Sequence, residues 1–140
     1  MLDVVIDTNV LVAALIRPDG PNAKVLERLF SSPNAFRICY SSAMMAEYED
    51  VLTRPFMTMR GLGKEAGLLT ELIEEVGDQI VPKPVYAAVY PDRDDRPFLE
   101  ATVYTNGALI TNNTKDSPFA GVTILTPQEF LTWLKGRADS

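Results

Sequence analysis

The feature that most constrains the fold is a short apolar run, Val4 to Ile6, that ends at Asp7. Three consecutive β-branched residues are typical of a buried parallel strand. The polar triplet Asp-Thr-Asn at 7–9 follows, and apolar residues resume at Val10. A buried strand that stops at a carboxylate and turns into a helix places that carboxylate at the carboxyl edge of the sheet, where ligands bind in open α/β folds. The alternative is that Asp7 only caps the helix that follows.

Strand patterns and helix patterns alternate along the rest of the chain. Apolar spacing and capping residues predict helices at 10–16, 21–30, 42–54, 64–77, 96–106 and 127–134. Ser-Ser at 41–42 is the predicted N-cap pair of the third helix, and Thr-Pro-Gln-Glu at 126–129 is a predicted capping box for the last. Short apolar runs predict strands at 4–6, 36–40, 80–81, 108–111 and 122–125. Strands that alternate with helices form a parallel sheet with helices on both faces. We therefore expect an α/β fold, with residues 1–140 forming one domain.

Several features of the composition indicate where the protein works. The apolar start has no basic segment before it, and Asp3 and Asp7 interrupt it, so we expect no secretory signal peptide. No stretch approaches the roughly 20 apolar residues of a membrane span. Cys39 is the only cysteine, which excludes a disulfide within the chain. We therefore expect a cytoplasmic protein without membrane attachment.

The chain contains no histidine, and this excludes many kinds of chemistry. Ser-His-Asp and Cys-His catalysis and every histidine-based ribonuclease mechanism are ruled out. Zinc sites, which are built mainly from histidine and cysteine, are ruled out as well. The net charge of −6 argues against a large basic groove for nucleic acid. A cluster of metal-binding carboxylates would produce the same negative excess, and bound cations would reverse it locally.

Acidic residues recur at the predicted carboxyl edge of the sheet. Asp7 follows the first strand, Glu47 lies in the helix after the second, the group Asp92 to Asp95 precedes the helix before the fourth, and Asp116 follows the fourth. Mg²⁺ and similar hard cations bind carboxylates and water, and such metals cleave phosphodiesters by activating water and stabilising the leaving oxygen. Four acids from distant parts of the sequence suit that chemistry.

Each of these acids also has a purely structural interpretation. Glu47 lies nearest the apolar stripe of its helix, but its margin over Glu49 is small, and both side chains could be solvated. Asp94 and Asp95 could be N-caps of the following helix. Asp116 could be a charge on a surface loop. Spacing alone leaves these alternatives open.

Four short motifs, taken together in order, resemble the PIN domain (PilT N-terminus) family. The first is Asp-Thr-Asn-Val-Leu at 7–11, and the second is Glu-Tyr-x-x-Val-Leu-x-Arg-Pro at 47–55. The third is Asp-Asp-Arg-Pro-Phe-Leu-Glu-Ala at 94–101, followed by Asn-Gly-Ala at 106–108 and Ile-Thr at 110–111. The segment 122–134 resembles the C-terminal end of one bacterial branch. The resemblance spans nearly the whole chain.

This resemblance implies a three-layer α/β/α PIN-like fold with a central, mostly parallel five-stranded sheet. It implies a nuclease that depends on Mg²⁺ or Mn²⁺ and acts on RNA, commonly the toxin half of a bacterial toxin–antitoxin pair. By motif position, Asp7, Glu47 and Asp95 are the three principal metal-binding and catalytic acids. The resemblance also implies supporting roles for Thr8, Asn9, Asp94 and Thr111.

The chain departs from the family pattern after the fourth strand. Many members have an aspartate two residues after the threonine, where this chain has Asn113. Some members have Thr-x-Asn-x-x-Asp, which matches Thr111, Asn113 and Asp116. The resemblance then makes Asp116 the fourth metal-binding acid and Asn113 a neutral oxygen ligand or a hydrogen-bond donor to water. Whether one or two metals bind stays open.

Partners follow from the same resemblance. The substrate is RNA, a cognate antitoxin protein is a possible partner, and family members often pair through their helices. The apolar face of the helix at 64–77 is either shared between the core and a second copy or wholly core. Four cationic residues flank the proposed site and are candidates to hold phosphates, or else are solvated or helix-end charges: Arg54, Arg93, Arg96 and Lys115.

Two other classes of protein share some of these sequence features. A phosphoacceptor receiver domain also carries acids at one edge of a parallel sheet. It needs an aspartate after the third strand and a lysine after the fifth, whereas this chain has Pro-Lys-Pro at 82–84 and Thr-Pro at 126–127. The other alternative is a PIN-like module that binds RNA but has lost catalytic activity. The three acids at matching positions argue against that alternative without excluding it.

Overall fold

The computed structural model of the protein describes residues 1–84, 95–113 and 121–138. Within these ranges the chain forms one parallel five-stranded sheet with the strand order β3-β2-β1-β4-β5. The strands are β1 (Leu2–Ile6), β2 (Phe36–Tyr40), β3 (Asp78–Gln79), β4 (Ala108–Ile110) and β5 (Thr123–Leu125). The prediction of an α/β fold around a mostly parallel five-stranded sheet is confirmed, and all the described strand pairs are parallel.

Helices cover both faces of the sheet, giving three layers. They are α1 (Thr8–Ile16), α2 (Pro21–Ser31), α3 (Ser42–Leu52), α4 (Pro55–Thr58), α5 (Gly63–Val76), α6 (Arg96–Thr105) and α7 (Pro127–Ala138). The helix α2 packs against both α1 and α7, while α3 packs against α1, α5 and α6. In the described part of the chain, none of the helices combines the length and the apolar character needed to cross a bilayer.

The strand β1 lies at the centre of the sheet because it is apolar enough to be covered on every side. Val4, Val5 and Ile6 are completely buried, and β1 pairs with β2 on one side and with β4 on the other. The chain moves outward from β1 through β2 to β3 and then returns to the opposite side of β1 with β4. Such a reversal of strand order opens a crevice at the carboxyl ends of the two strands that flank it. Asp7 and Thr111 directly follow these two strands.

The third strand is displaced from its predicted position. The apolar pair Ile80–Val81 predicted a strand, but the pairing residues are Asp78 and Gln79, which match Cys39 and Tyr40 of β2. Ile80 is buried and donates its backbone N–H to the Tyr40 carbonyl at 2.8 Å, whereas Val81 is 83% exposed. The prediction was wrong because β2 ends at Tyr40, so the ladder is complete before the apolar pair is reached.

Gly77 explains how α5 passes directly into β3. A Cβ atom at this position would lie 2.5 Å from the Ile73 carbonyl oxygen and 3.0 Å from that of Ile38. The residue has φ −83° and therefore needs no left-handed conformation. The glycine is required for the close approach of the helix end to β2, and this approach sets the early start of β3.

Two predicted helix caps are present. The Ser41 hydroxyl accepts a hydrogen bond from the Met44 backbone N–H at 3.2 Å. At the start of α7, the Thr126 hydroxyl accepts from the Glu129 N–H at 3.0 Å, and the Glu129 carboxylate accepts from the Thr126 N–H at 2.9 Å. This reciprocal pair is the capping box that the sequence predicts.

The apolar face of α5 is divided between the core and the surface. The predicted face consists of Leu68, Leu69, Leu72, Ile73 and Val76, of which Ile73 is completely buried. Leu68 is 54% exposed and Val76 is 48% exposed. The predicted face is therefore only partly core.

Candidate functional site

A cavity of about 540 Å³ opens at the carboxyl edge of the sheet, where β1 ends. Three of its lining residues are carboxylates from separate elements: Asp7 follows β1, Glu47 lies on α3, and Asp95 directly precedes α6. The structure thus brings three sequence-predicted site residues around one cavity, although Asp7 and Asp95 are 88 positions apart (95 − 7).

Asp7 occupies the N-cap position of α1, but its side chain makes no capping hydrogen bond. Its Oδ2 atom instead accepts a hydrogen bond from the Thr111 hydroxyl at 2.7 Å. The Asn9 side-chain amide donates to the same Thr111 hydroxyl at 3.3 Å. The carboxylate is therefore oriented across the crevice between β1 and β4, and helix capping does not account for its conformation.

The turn after β4 is tied to the start of α1 by a small amide network. The Asn112 backbone N–H donates to Asn9 Oδ1 at 3.2 Å, and the Asn112 side-chain amide donates to Asn22 Oδ1 at 2.9 Å. The Asn113 backbone N–H donates to the Thr111 hydroxyl at 3.1 Å. This network fixes the backbone at Asn113 relative to Asp7. Neither Asn112 nor Asn22 was predicted, because only the tertiary fold brings them together.

Glu47 is held beside the cavity by its neighbour on α3. It is partly buried, whereas Glu49 and Asp50 on the same helix are exposed. Tyr48 is 1% exposed, and its hydroxyl donates to the Ile6 carbonyl immediately before Asp7. Burial, together with the negative charge of Asp7, raises the pKa of Tyr48 well above its ordinary value. The hydroxyl therefore stays protonated as a donor, and this bond joins α3 to the end of β1.

Asp95 is positioned by the start of α6. It occupies the N-cap position, and its side chain makes no capping hydrogen bond there. One turn into the helix, Phe98 is 2% exposed and contacts Tyr48, with ring centroids 5.9 Å apart. This aromatic contact packs α6 against α3 and so sets the position of Asp95 relative to Glu47.

The donor set at the cavity fits a hard divalent cation, since carboxylate and hydroxyl oxygens are the ligands that Mg²⁺ and Mn²⁺ prefer. Thr8 lines the same cavity, and its hydroxyl oxygen is buried without a hydrogen-bond partner in the described structure. Across 1–84, 95–113 and 121–138, no three acidic or sulfur side chains are grouped closely enough to form a ready-made metal cage. Mg²⁺ typically uses one or two carboxylates with water and substrate phosphates, so the absence of a cage among these residues does not oppose the fit.

The predicted phosphate contacts have different positions. Arg54 lines the cavity and forms an exposed ion pair with Asp50 at 2.7 Å. Arg96 lines a separate cavity of about 430 Å³ and pairs with Glu100 at 3.0 Å. Four further predicted residues lie outside the described ranges: Arg93, Asp94, Lys115 and Asp116.

Several lining residues were not predicted. Arg17 at the end of α1 and Phe56 in α4 both line the cavity, together with Val12 and Ile16. A signal for α1 was present, because Val12 and Ile16 follow Asn9 at helical spacing and therefore share its face. No such signal exists for Phe56, because its position depends on the tertiary packing of α4, which contacts α5.

Comparison with known proteins identifies the fold and the family. Among solved structures, the chain is similar to VapBC2 from Rickettsia felis bound to a DNA fragment from the promoter, with a TM-score of 0.63 and 16% identity, covering 89% of this chain and 98% of that one. It is also similar to VapBC-1 from nontypeable Haemophilus influenzae, with a TM-score of 0.62 and 14% identity, covering 91% and 99%. No curated protein sequence matches significantly. A sequence profile of the PIN domain matches residues 3–115. This chain belongs to the PIN domain family.

Proposed function

We propose that this protein is an endoribonuclease that depends on Mg²⁺ or Mn²⁺, and that it is the toxin component of a toxin–antitoxin pair. The observation that carries the proposal is the cavity at the end of β1, which Asp7, Glu47 and Asp95 line in a chain of the PIN family. The absence of histidine from the whole sequence supports carboxylate-based chemistry, because the usual histidine acid and base are missing.

In this proposal Asp7, Glu47 and Asp95 hold the cation, with Asp116 as a fourth acid and Asn113 as a neutral partner. When bound, the cation supplies activation of water and neutralises charge on the leaving oxygen. Thr111 orients Asp7 through the 2.7 Å hydrogen bond to Oδ2. Tyr48 keeps α3, and with it Glu47, fixed to the end of β1.

The cationic side chains hold the RNA backbone. Arg17 and Arg54 line the cavity beside the three acids, and guanidinium groups bind phosphates through paired hydrogen bonds. Arg54 can exchange its carboxylate partner for a phosphate, because exposed ion pairs such as the one with Asp50 contribute little stability.

An antitoxin protein and a second copy of the chain are the proposed protein partners. The antitoxin proposal rests on the similarity to two VapBC structures, each matched over nearly its whole chain. The self-association proposal rests on Leu68 and Val76, two apolar residues of α5 that remain about half exposed. We place the protein in the cytoplasm, where its one buried cysteine stays reduced.

The test is cleavage of single-stranded RNA by the purified protein with Mn²⁺, with Mg²⁺ and with EDTA. We expect cleavage with either metal, none with EDTA, and loss of cleavage in Glu47→Gln. Glu49→Gln is the matched control, because it removes a similar charge from an exposed position on the same helix. RNA binding without cleavage under any metal would favour the inactive RNA-binding alternative and contradict the proposal.

A further inference from the structure

The cavity is also lined by residues that metal binding does not use, among them Arg17, Arg54 and Phe56. We propose that Phe56 is a stacking platform for an unpaired nucleobase of the RNA, beside the three carboxylates. This inference rests on the proposed function and assigns to Phe56 a contact with a base of the RNA.

The first argument is the placement of Phe56 on a short, anchored helix. Its neighbour Met57 is completely buried and fixes α4 to the core, while Phe56 is 38% exposed and lines the cavity. Pro55 occupies the first turn of α4, and the Met57 N–H donates to the Arg54 carbonyl at 3.0 Å. Because the backbone on both sides of Phe56 is constrained, the ring is held at the cavity with little entropy to lose on binding.

The second argument is the chemistry of the surrounding wall. Val12, Ile16 and Val51 give the cavity an apolar side near the ring, and Arg17 and Arg54 add positive charge at the same cavity. A nucleotide has the complementary parts, namely a flat apolar base and an anionic phosphate. Proteins that bind single-stranded RNA combine aromatic platforms with guanidinium groups in this way.

The third argument concerns charge at the two arginines. Within the described residues Arg17 forms no ion pair, so its charge is not already matched by a carboxylate there. Among the same described residues, Arg54 forms an exposed ion pair with Asp50. A phosphate next to the stacked base would complement both guanidinium groups, whereas a purely apolar occupant would complement neither.

Stacking on Phe56 requires an unpaired base. In a duplex both faces of a base are covered by neighbouring pairs, so an aromatic side chain cannot reach them without unstacking. Unpaired bases in single strands and loops present a free face to an aromatic ring. The volume of about 540 Å³ lies in the range of cavities that enclose small ligands, and so has room for a base.

The experiment measures binding of a fluorescently labelled single-stranded RNA by anisotropy in EDTA, where cleavage cannot interfere. Phe56→Leu keeps an apolar side chain but removes the ring, and Phe56→Trp keeps a stacking surface. Met59→Ala is the control. Met59 is the residue directly after α4 in the sequence, is 85% exposed, and does not line the cavity. Thermal melting of each variant verifies that the fold is retained.

We expect Phe56→Leu to weaken binding at least about fivefold, the lower end of the loss of one stacked base. Phe56→Trp and Met59→Ala should bind as the wild type does. An oligonucleotide with abasic sites should bind wild type and Phe56→Leu equally, since it offers no base to stack.

Several outcomes would overturn the inference. If Phe56→Leu binds single-stranded RNA as tightly as wild type while the wild type cleaves it with Mn²⁺, the proposed function stands and the stacking role is wrong. The cavity wall would then be available to an apolar segment of a protein partner. An equal loss of affinity for intact and abasic RNA would also refute stacking. If the wild type neither binds nor cleaves RNA, the proposed function fails together with the inference.

Discussion

At the scale of single residues, Asp7 shows how far a sequence pattern can be taken. The pattern predicted a carboxylate at the carboxyl edge of the sheet and left helix capping as the alternative. In the structure its carboxylate accepts a hydrogen bond from Thr111 and makes no cap. The partner could not be derived from local sequence, because the two residues are 104 positions apart.

The first residue-scale prediction is that Asp7→Asn separates activity from stability. The amide oxygen of asparagine can still accept the Thr111 hydrogen bond, while the negative charge that we propose binds the cation is lost. RNA cleavage should fall below detection, and the metal-free protein should be as stable as wild type to within about 1 kcal/mol. Cleavage assays and thermal melting in EDTA measure the two effects. A clear drop in the melting temperature would mean that Asp7 has a structural role.

The second residue-scale prediction concerns Thr111 as a positioning residue. Thr111→Val has nearly the same shape but can neither donate to Asp7 nor accept from the Asn9 amide and the Asn113 backbone N–H. We expect kcat to fall at least about tenfold, equal to 1.4 kcal/mol in the barrier, with KM for RNA little changed. Thr111→Ser should restore kcat, because it returns the hydroxyl. Wild-type kcat in Thr111→Val, or an equal loss in Thr111→Val and Thr111→Ser, would contradict a positioning role of the hydroxyl.

At the scale of secondary-structure elements, predictions were most accurate where local chemistry decides the outcome. The strand at 36–40 and the capping box at the start of α7 agree with the structure. The third strand was misplaced because its position depends on the contact of Gly77 with Ile38, which lies on a different strand. Tertiary contacts of this kind leave no periodic signal in the sequence.

The element-scale prediction concerns Cys39, a fully buried residue of β2. Burial raises the pKa of the Cys39 thiol to about 11, from an ordinary value of 9.0 in the unfolded chain. The folded state therefore holds the thiol proton more tightly than the unfolded chain does. The contribution of this thiol to the free energy of unfolding is fully present below pH 9. That contribution is lost as the pH rises from about 9 to about 11.

Urea unfolding across this pH range tests the prediction by comparing wild type with Cys39→Ala. The free energy of unfolding of the wild type should fall more steeply with pH, because the variant has no thiol to ionise. Tyr48 contributes to both proteins and cancels in the difference. Parallel pH profiles for the two proteins would show that the thiol does not contribute.

At the scale of the whole molecule, the order of elements was sufficient to predict the sheet and the edge that carries the acids. The cavity itself was only half predicted. Two of its acids, Asp7 and Asp95, directly follow a strand or precede a helix, and sequence patterns mark such positions, whereas helical spacing did not separate Glu47 from Glu49. The positions of Arg17 and Phe56 in the cavity lining depend on how the helices that carry or precede them are packed. That packing could not be inferred from any single segment.

The whole-molecule prediction is that two copies associate through α5. Leu68 is 54% exposed, so Leu68→Glu should leave the monomer folded while placing a charge in the proposed contact. Sedimentation at micromolar concentration should give a dimer for wild type and a monomer for Leu68→Glu. Val103→Glu, at a 38% exposed position on α6, is the control and should remain a dimer. A monomeric wild type would contradict the predicted association through α5.

The central claim is that carboxylates from separate elements hold one cation at the end of β1, and Mn²⁺ binding tests it most directly. Electron paramagnetic resonance of free Mn²⁺ gives the affinity without reference to RNA or to catalysis. We predict stoichiometric binding by wild type, the same affinity for Glu49→Gln, and at least about tenfold weaker binding for Glu47→Gln, which is 1.4 kcal/mol. Equal Mn²⁺ affinity in Glu47→Gln and Glu49→Gln, or no binding by wild type, would contradict the claim.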